Sequence, residues 1–195
     1  MFLYGASGHA KVIIEILEQQ GIKVHGLFDD NHSISSLLDY RVYPFSPELL
    51  KNESLIISIG INKTRKLIAE RLAQYQFSQA IHPTAVISKR STIGDGTVVM
   101  GNVIINSSTI IGKHCIINTA ASVDHDCKIG DYCHISPNAT LSGNGTIGEG
   151  TWIGAGATII QGIKIGKWCT IGAGSVIIRD VEDGVTVVGN PGRVK

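Results

Sequence analysis

The residues of this chain able to move a proton or attack a carbonyl are few, and their spacing is informative. His125 stands between Asp124 and Asp126, and His134 follows nine residues later. A neutral imidazole oriented by a neighbouring carboxylate is equipped to act as a general base. Near the start, Gly5-Ala6-Ser7-Gly8-His9 sets a glycine-rich turn between a short strand and a helix. Such a turn aims backbone N–H groups at an anion. The chain lacks the full G-x-G-x-x-G fingerprint, which weakens the case for NAD. Asp29-Asp30 closes the next strand, where folds of this type contact a ribose or a base. Each feature also has a plain reading: a solvated histidine, a structural turn, a solvated strand end. Four cysteines, Cys115, Cys127, Cys133 and Cys169, raise metal ligation or disulfides as alternatives.

The elements that must position these groups follow from a repeat. Stepping by six from Ile81 gives Ile87, Ile93, Val99, Ile105, Ile111, Ile117, Val123, Ile129, Ile135, Leu141, Ile147, Ile153, Ile159, Ile165, Ile171 and Ile177, every one a branched aliphatic. The position four after each anchor is mostly small, as at Ala85, Ser91, Thr97, Thr109, Ala121, Ala139, Thr151 and Ala157. This is a hexapeptide solenoid. Each unit makes a short strand and a corner, and three units close a triangular coil whose layers stack about 4.8 Å apart. All four cysteines fall at the small inward position, so they read as reduced core residues. Glycine often follows the anchor (Gly94, Gly112, Gly130, Gly148), which suggests that it supplies corner conformations. The repeat turns His125 and Asp126 outward at a corner and stacks Gly143 on that corner one coil later. The bare N–H of Gly143 is then placed to hold an oxyanion. Ala155 and Ala173, also one coil apart, form a second column with room for a long ligand.

Before the repeat, the pattern is an abbreviated βαβ. Strands are expected at 2–4, 24–28 and 55–59, with helices at 10–20, closed by Gly21, and at 62–75, capped by Asn62. The expected domains are a Rossmann-like α/β unit at 1–78 and a parallel β-helix with a C-terminal extension at 79–195. A formal net charge of +1 with no basic run argues against nucleic-acid binding. No apolar stretch approaches the roughly 20 residues of a membrane span. The opening Met1-Phe2-Leu3-Tyr4 reads as a strand and not a signal peptide, so the expected location is cytoplasmic.

Four segments carry a resemblance over essentially the whole chain: Y-G-A-S-G-H-A-K, the hexapeptide array, S-V-D-H-D-C-K-I-G-D-Y-C-H-I-S, and the terminal V-V-G-N-P-G-R-V. With them the chain resembles the sugar O- and N-acetyltransferases that include the sialic acid O-acetyltransferases, and within these most the UDP-N-acetylbacillosamine N-acetyltransferase family. The resemblance implies a left-handed β-helix, against the usual right-handed crossover. It implies an acetyl-CoA-dependent transfer to the amine of a UDP-linked 4-amino-4,6-dideoxy sugar in bacterial glycan biosynthesis, with no metal. By the same resemblance His125 is the base and Asp126, a Glu in that family, raises its basicity. Ser7, Gly8, His9, Asp29, Asp30 and Gly60 hold the UDP-sugar, while His134, Gly143, Ala155 and Ala173 line acetyl-CoA. The implied assembly is a homotrimer with active sites between adjacent prisms. Rival readings are O-acetylation of sialic acid or another sugar hydroxyl, a γ-type carbonic anhydrase, and a non-enzymatic nucleotide-sensing scaffold. The nine-residue spacing of His125 and His134, half a coil, disfavours a shared metal.

Overall fold

The computed structural model describes all 195 residues. The first part is a five-stranded sheet of β1 (Phe2–Tyr4), β2 (Gly26–Phe28), β3 (Ser36–Leu37), β4 (Tyr40–Tyr43) and β5 (Leu55–Ile57) in the order β3-β4-β2-β1-β5. All pairings are parallel except β3 with β4. The β3–β4 hairpin was not expected from sequence: its strands are very short and only Val42 is buried, so they carry no burial alternation. Helix α1 (Gly8–Gln19) begins two residues earlier than its apolar spacing suggests, and buries Ile13, Ile14, Ile16 and Leu17. Helix α2 (Asn62–Arg71) is shorter than the expected 62–75. Its N-cap is Ile61, not Asn62, and no side chain caps it. Asn62 instead donates to Gly150 O at 3.0 Å and accepts from Arg65.

From β6 (Ala80–Ile81) to β22 (Val176–Ile177) the chain makes one two-residue strand every six residues. Strands one coil apart pair in parallel, as Ile105 with Val123 and Val123 with Leu141. The winding is a left-handed β-helix with three faces. The first face contains Ser122–Val123, the second Lys128–Ile129, and the third His134–Ile135 and Trp152–Ile153. Strands β23 (Thr186–Val188) and β24 (Arg193–Val194) form an antiparallel pair that finishes the third face. The anchors from Val99 to Ile177 and the small inward residues make one continuous core. All four cysteines are buried there and unbridged.

The inward polar residues do more than fill space. Thr97 Oγ1 donates to Gly112 O at 2.8 Å and accepts from Cys115 N–H at 2.9 Å, and Thr151 repeats this with Gly166 and Cys169. The thiols of Cys115 and Cys133 likewise donate to Gly130 O and Gly148 O, each at 3.1 Å. A buried carbonyl left unpaired is costly, so these side chains offset a debt the tight corner creates. The corner glycines also act otherwise than expected. The left-handed backbone lies three residues after the anchor, at Asn102, Asp126, Asn138, Asn144 and Gly156, among others. Glycines directly after the anchor are needed for close approach between coils: a Cβ on Gly94 would lie 2.6 Å from Gly112 C.

The α/β unit packs on the third face, where Ile13 and Leu17 of α1 join Val98, Met100 and Ile116. Arg65 of α2 is 1 % exposed and has no carboxylate partner. It donates to His114 O (2.7 Å), Tyr132 O (2.9 Å), Ile59 O (2.9 Å), Gly60 O (3.1 Å) and Asn62 Oδ1 (2.8 Å), tying the two parts together. No helix is long and apolar enough to cross a membrane.

Candidate functional site

His125 lies on the edge between the first and second faces, in the corner joining Ser122–Val123 to Lys128–Ile129. Its Nδ1 meets Asp126 Oδ2 at 2.7 Å, and its own N–H donates to Asp124 Oδ1 at 2.8 Å. Asn106 Nδ2 holds that same Asp124 oxygen at 2.9 Å. The hydrogen bond to Asp126, followed by the charge of Asp124, raises the His125 pKa above the ordinary histidine value. With Nδ1–H committed to the carboxylate, Nε2 is the nitrogen free to take a proton. Gly143 sits directly against this ring. A Cβ there would be 2.7 Å from both Cε1 and Nε2, so only glycine leaves the imidazole its place. The Gly143 N–H finds no acceptor within the chain.

A second region lies between the α/β unit and the third face. It is a cleft of about 610 Å³ whose walls include Ser7, His9, Gly60, His134, Trp152 and Trp168. The first N–H groups of α1, at Gly8 and His9, find no acceptor in the chain, which leaves the helix N-terminus ready for an anion. The turn is held by Asp29, whose Oδ2 accepts from Ala6 N–H at 2.7 Å. His134 contacts Asn118 Nδ2 through Nε2 at 3.1 Å and stacks on Trp152, centroids 6.0 Å apart. Burial first, and then the Arg65 charge, pushes His9 down to about 4 and His134 to about 3. Both rings are therefore neutral near pH 7.

Ser7, His9 and Gly60 thus gather in one cleft, and His134 joins them instead of the other residues read as acetyl-CoA contacts. Asp29 supports the turn from behind. Asp30 points to Tyr4, beside Arg71, and is not among the cleft walls. His125, Asp126 and Gly143 form one cluster on a different edge. Ala155 and Ala173 are exposed on a third site, the edge between the third and first faces. The edge bearing His125 is the one that does not border the third face, so within one chain His125 and the cleft are on opposite sides of the prism. No group of three or more His, Cys, Asp or Glu side chains is placed to hold a metal ion. Arg65, Trp152 and Trp168 escaped sequence reading. Arg65 is one cation among Lys63, Lys66 and Arg71, and only burial distinguishes it.

Residues 1–72 match the PglD N-terminal domain, and 108–143 and 144–179 match the bacterial transferase hexapeptide (six repeats). A histidine-to-asparagine mutant of perosamine N-acetyltransferase from Caulobacter crescentus, solved with CoA and GDP-perosamine, is 36 % identical with a TM-score of 0.96. That alignment covers 100 % of this chain and 95 % of the other. The acetyltransferase domain of PglB from Neisseria gonorrhoeae, 36 % identical with a TM-score of 0.91, was solved with acetyl coenzyme A; 100 % of this chain and 98 % of that one align. UDP-N-acetylbacillosamine N-acetyltransferase of Bacillus subtilis (strain 168) is 39 % identical over 107 residues, 50 % of each protein. The chain spans half the length of that curated relative, and 21 % of an uncharacterized protein of Acanthamoeba polyphaga mimivirus to which it is 30 % identical over 51 % of its own length.

Proposed function

We propose a reaction from one premise: the chain belongs to the sugar N-acetyltransferases that join a PglD N-terminal domain to a hexapeptide-repeat β-helix. The reaction is transfer of the acetyl group of acetyl-CoA to the amine of a nucleotide-linked 4-amino-4,6-dideoxy sugar, with a UDP-sugar as the first candidate, in bacterial glycan assembly in the cytoplasm. The observation that carries it is the His125 corner: an imidazole tied through Nδ1 to a carboxylate, with Nε2 against a glycine whose N–H is free.

The amine nitrogen attacks the thioester carbon and gives up a proton to His125 Nε2. The carbonyl oxygen becomes negative and accepts from Gly143 N–H, an interaction worth on the order of 3 kcal/mol per donor. Collapse breaks the C–S bond, the electron pair leaves with the CoA sulfur, and the proton held by His125 can return to it. Asp126 keeps the ring in the tautomer this requires. The α/β unit, 1–78, holds the nucleotide at Ser7, Gly8, His9 and Gly60, with Asp29 fixing the turn. The β-helix unit, 79–195, supplies the base, and Ala155 and Ala173 leave a groove for the pantetheine arm.

Because the base and the cleft lie on opposite sides of one prism, the assembly that fits is a homotrimer in which each cleft receives His125 from an adjacent copy. Outward apolar residues on the free faces, Val86 at 65 % exposure, Ile104 at 43 % and Ile110 at 50 %, support burial between prisms.

The decisive experiment supplies acetyl-CoA with UDP-, GDP- and CMP-linked amino sugars, GDP-perosamine among them, and with free sialic acid, and follows thiol release. Turnover with a nucleotide 4-amino sugar is expected. Turnover with free sialic acid alone would replace the reading with O-acetylation, and no turnover with any acceptor would abolish it.

A further inference from the structure

Ser91, Thr109 and Cys127 form one inward column, each four residues after an anchor and one coil apart. Each donates to a carbonyl on the edge that carries His125: Ser91 Oγ to Asn106 O (2.6 Å), Thr109 Oγ1 to Asp124 O (2.6 Å) and Cys127 Sγ to Ser142 O (3.4 Å). A trans peptide is planar, with its C=O and N–H pointing opposite ways. Pinning the oxygen inward therefore turns the following N–H outward, at Ser107, His125 and Gly143.

What these outward N–H groups do is visible wherever a carboxylate can reach one. His125 N–H, behind the carbonyl pinned by Thr109, is taken by Asp124 Oδ1 at 2.8 Å. On the edge between the second and third faces, Thr97 pins Gly112 O and Lys113 N–H goes to Asp131 Oδ1 at 2.7 Å. Thr151 pins Gly166 O there, and Lys167 N–H goes to Asp183 Oδ1 at 2.7 Å. A pinned corner thus presents a donor that binds a negative oxygen. At Gly143 the same donor is free, on a residue that packs against the His125 ring.

We propose that Cys127 is a positioning residue for acetyl transfer: its thiol fixes the Ser142–Gly143 peptide so that the Gly143 N–H faces the oxygen that becomes negative. The inference rests on the acetyltransfer reading. Burial pushes the Cys127 pKa up, so the sulfur keeps the proton it donates. The residue takes no covalent part. The edge with Ala155 and Ala173 lacks the device, because Ala121, Ala139 and Ala157 fill the corresponding inward slots.

The test compares kcat and both KM values for the unaltered protein, C127A, C127S and C115A. Alanine is buried in this type of slot at 121, 139 and 157, so C127A keeps the fold. In C127A, kcat is expected to fall about fivefold with each KM within twofold, and C127S stays within twofold of the unaltered protein. C115A, which removes the thiol bond to Gly130 O on the other pinned edge, keeps its kcat within twofold. Equal kcat in C127A and the unaltered protein, or equal losses in C127A and C115A, would overturn the role. If C127A unfolds, C127T and C127V, matched in shape and differing in the donor, are compared in the same way. Absence of turnover in the unaltered protein would overturn the acetyltransfer reading itself, whereas full activity in C127A removes only Cys127.

Discussion

The His125 corner and the cleft between the two units use the same side chain to opposite ends. At the corner, an exposed imidazole (59 % side-chain exposure) gains a carboxylate and its pKa rises. In the cleft, His9 and His134 lose water, face the buried Arg65 and are pushed to about 4 and about 3. One ring is made more basic, as the proposed proton acceptor requires; the others are held neutral, as the proposed ligand contacts require. Whether a histidine is a base or a wall is therefore decided by its neighbours and its solvent, not by its type.

The largest expected effect separates the regions most sharply. His125→Ala should lower kcat at least about a hundredfold, as loss of a general base does, with little change in thermal stability. Activity retained in a steady-state assay would place the base elsewhere. Next comes Gly143→Ala. Its methyl would lie 2.7 Å from the imidazole, so the ring or the backbone must move. A loss of about thirtyfold in kcat is expected, read against an unchanged melting temperature.

Asp126→Asn probes the tuning itself. The proposed mechanism needs neutral His125, so kcat/KM should rise with pH through a pKa lying above the ordinary value. Without the carboxylate that pKa falls, the acidic limb moves to lower pH, and the plateau drops roughly tenfold because the base is weaker. A pH–rate profile that keeps its midpoint would break the link between Asp126 and basicity.

The smallest effect belongs to the cleft. His9 and His134 bind protons less readily folded than unfolded, where the pKa is about 6.5. Between roughly pH 4 and 6.5 the unfolded chain holds more protons, so stability rises with pH across that window and levels off above it. His134→Gln should flatten this slope in melting curves recorded from pH 4.5 to 7.5. His125 has the opposite sign, its contribution fading as pH rises through its raised pKa, and its exposure keeps that contribution small.

The period of six made the β-helix legible, because an aliphatic anchor is enforced at one inward position in every unit, with a small residue at the other in most. It also placed His125 beside Gly143, since stacking follows from an eighteen-residue coil. Hydrogen bonds inside the prism were hidden: Thr109 and Cys127 satisfy the same size rule as Ala121, and only coordinates reveal which of them hold a carbonyl. Arg65 was hidden for a related reason. Apart from Asn62 Oδ1, its partners are backbone oxygens, among them those of Ile59, His114 and Tyr132, and main-chain atoms leave no mark in the identity of the residues that own them.

The pairing of each coil only with the layers above and below has a consequence for how such a molecule can change length. A solenoid gains or loses material in whole turns, because a fraction of a turn would rotate every later residue onto another face. Hydrogen bonds from the α/β unit reach no further along the prism than Thr151. Growth by complete turns past the cleft, toward the terminal hairpin, would thus lengthen the scaffold while the His125 corner and the cleft beside the third face kept their spacing, much as a spiral stair gains storeys without moving its lower landings.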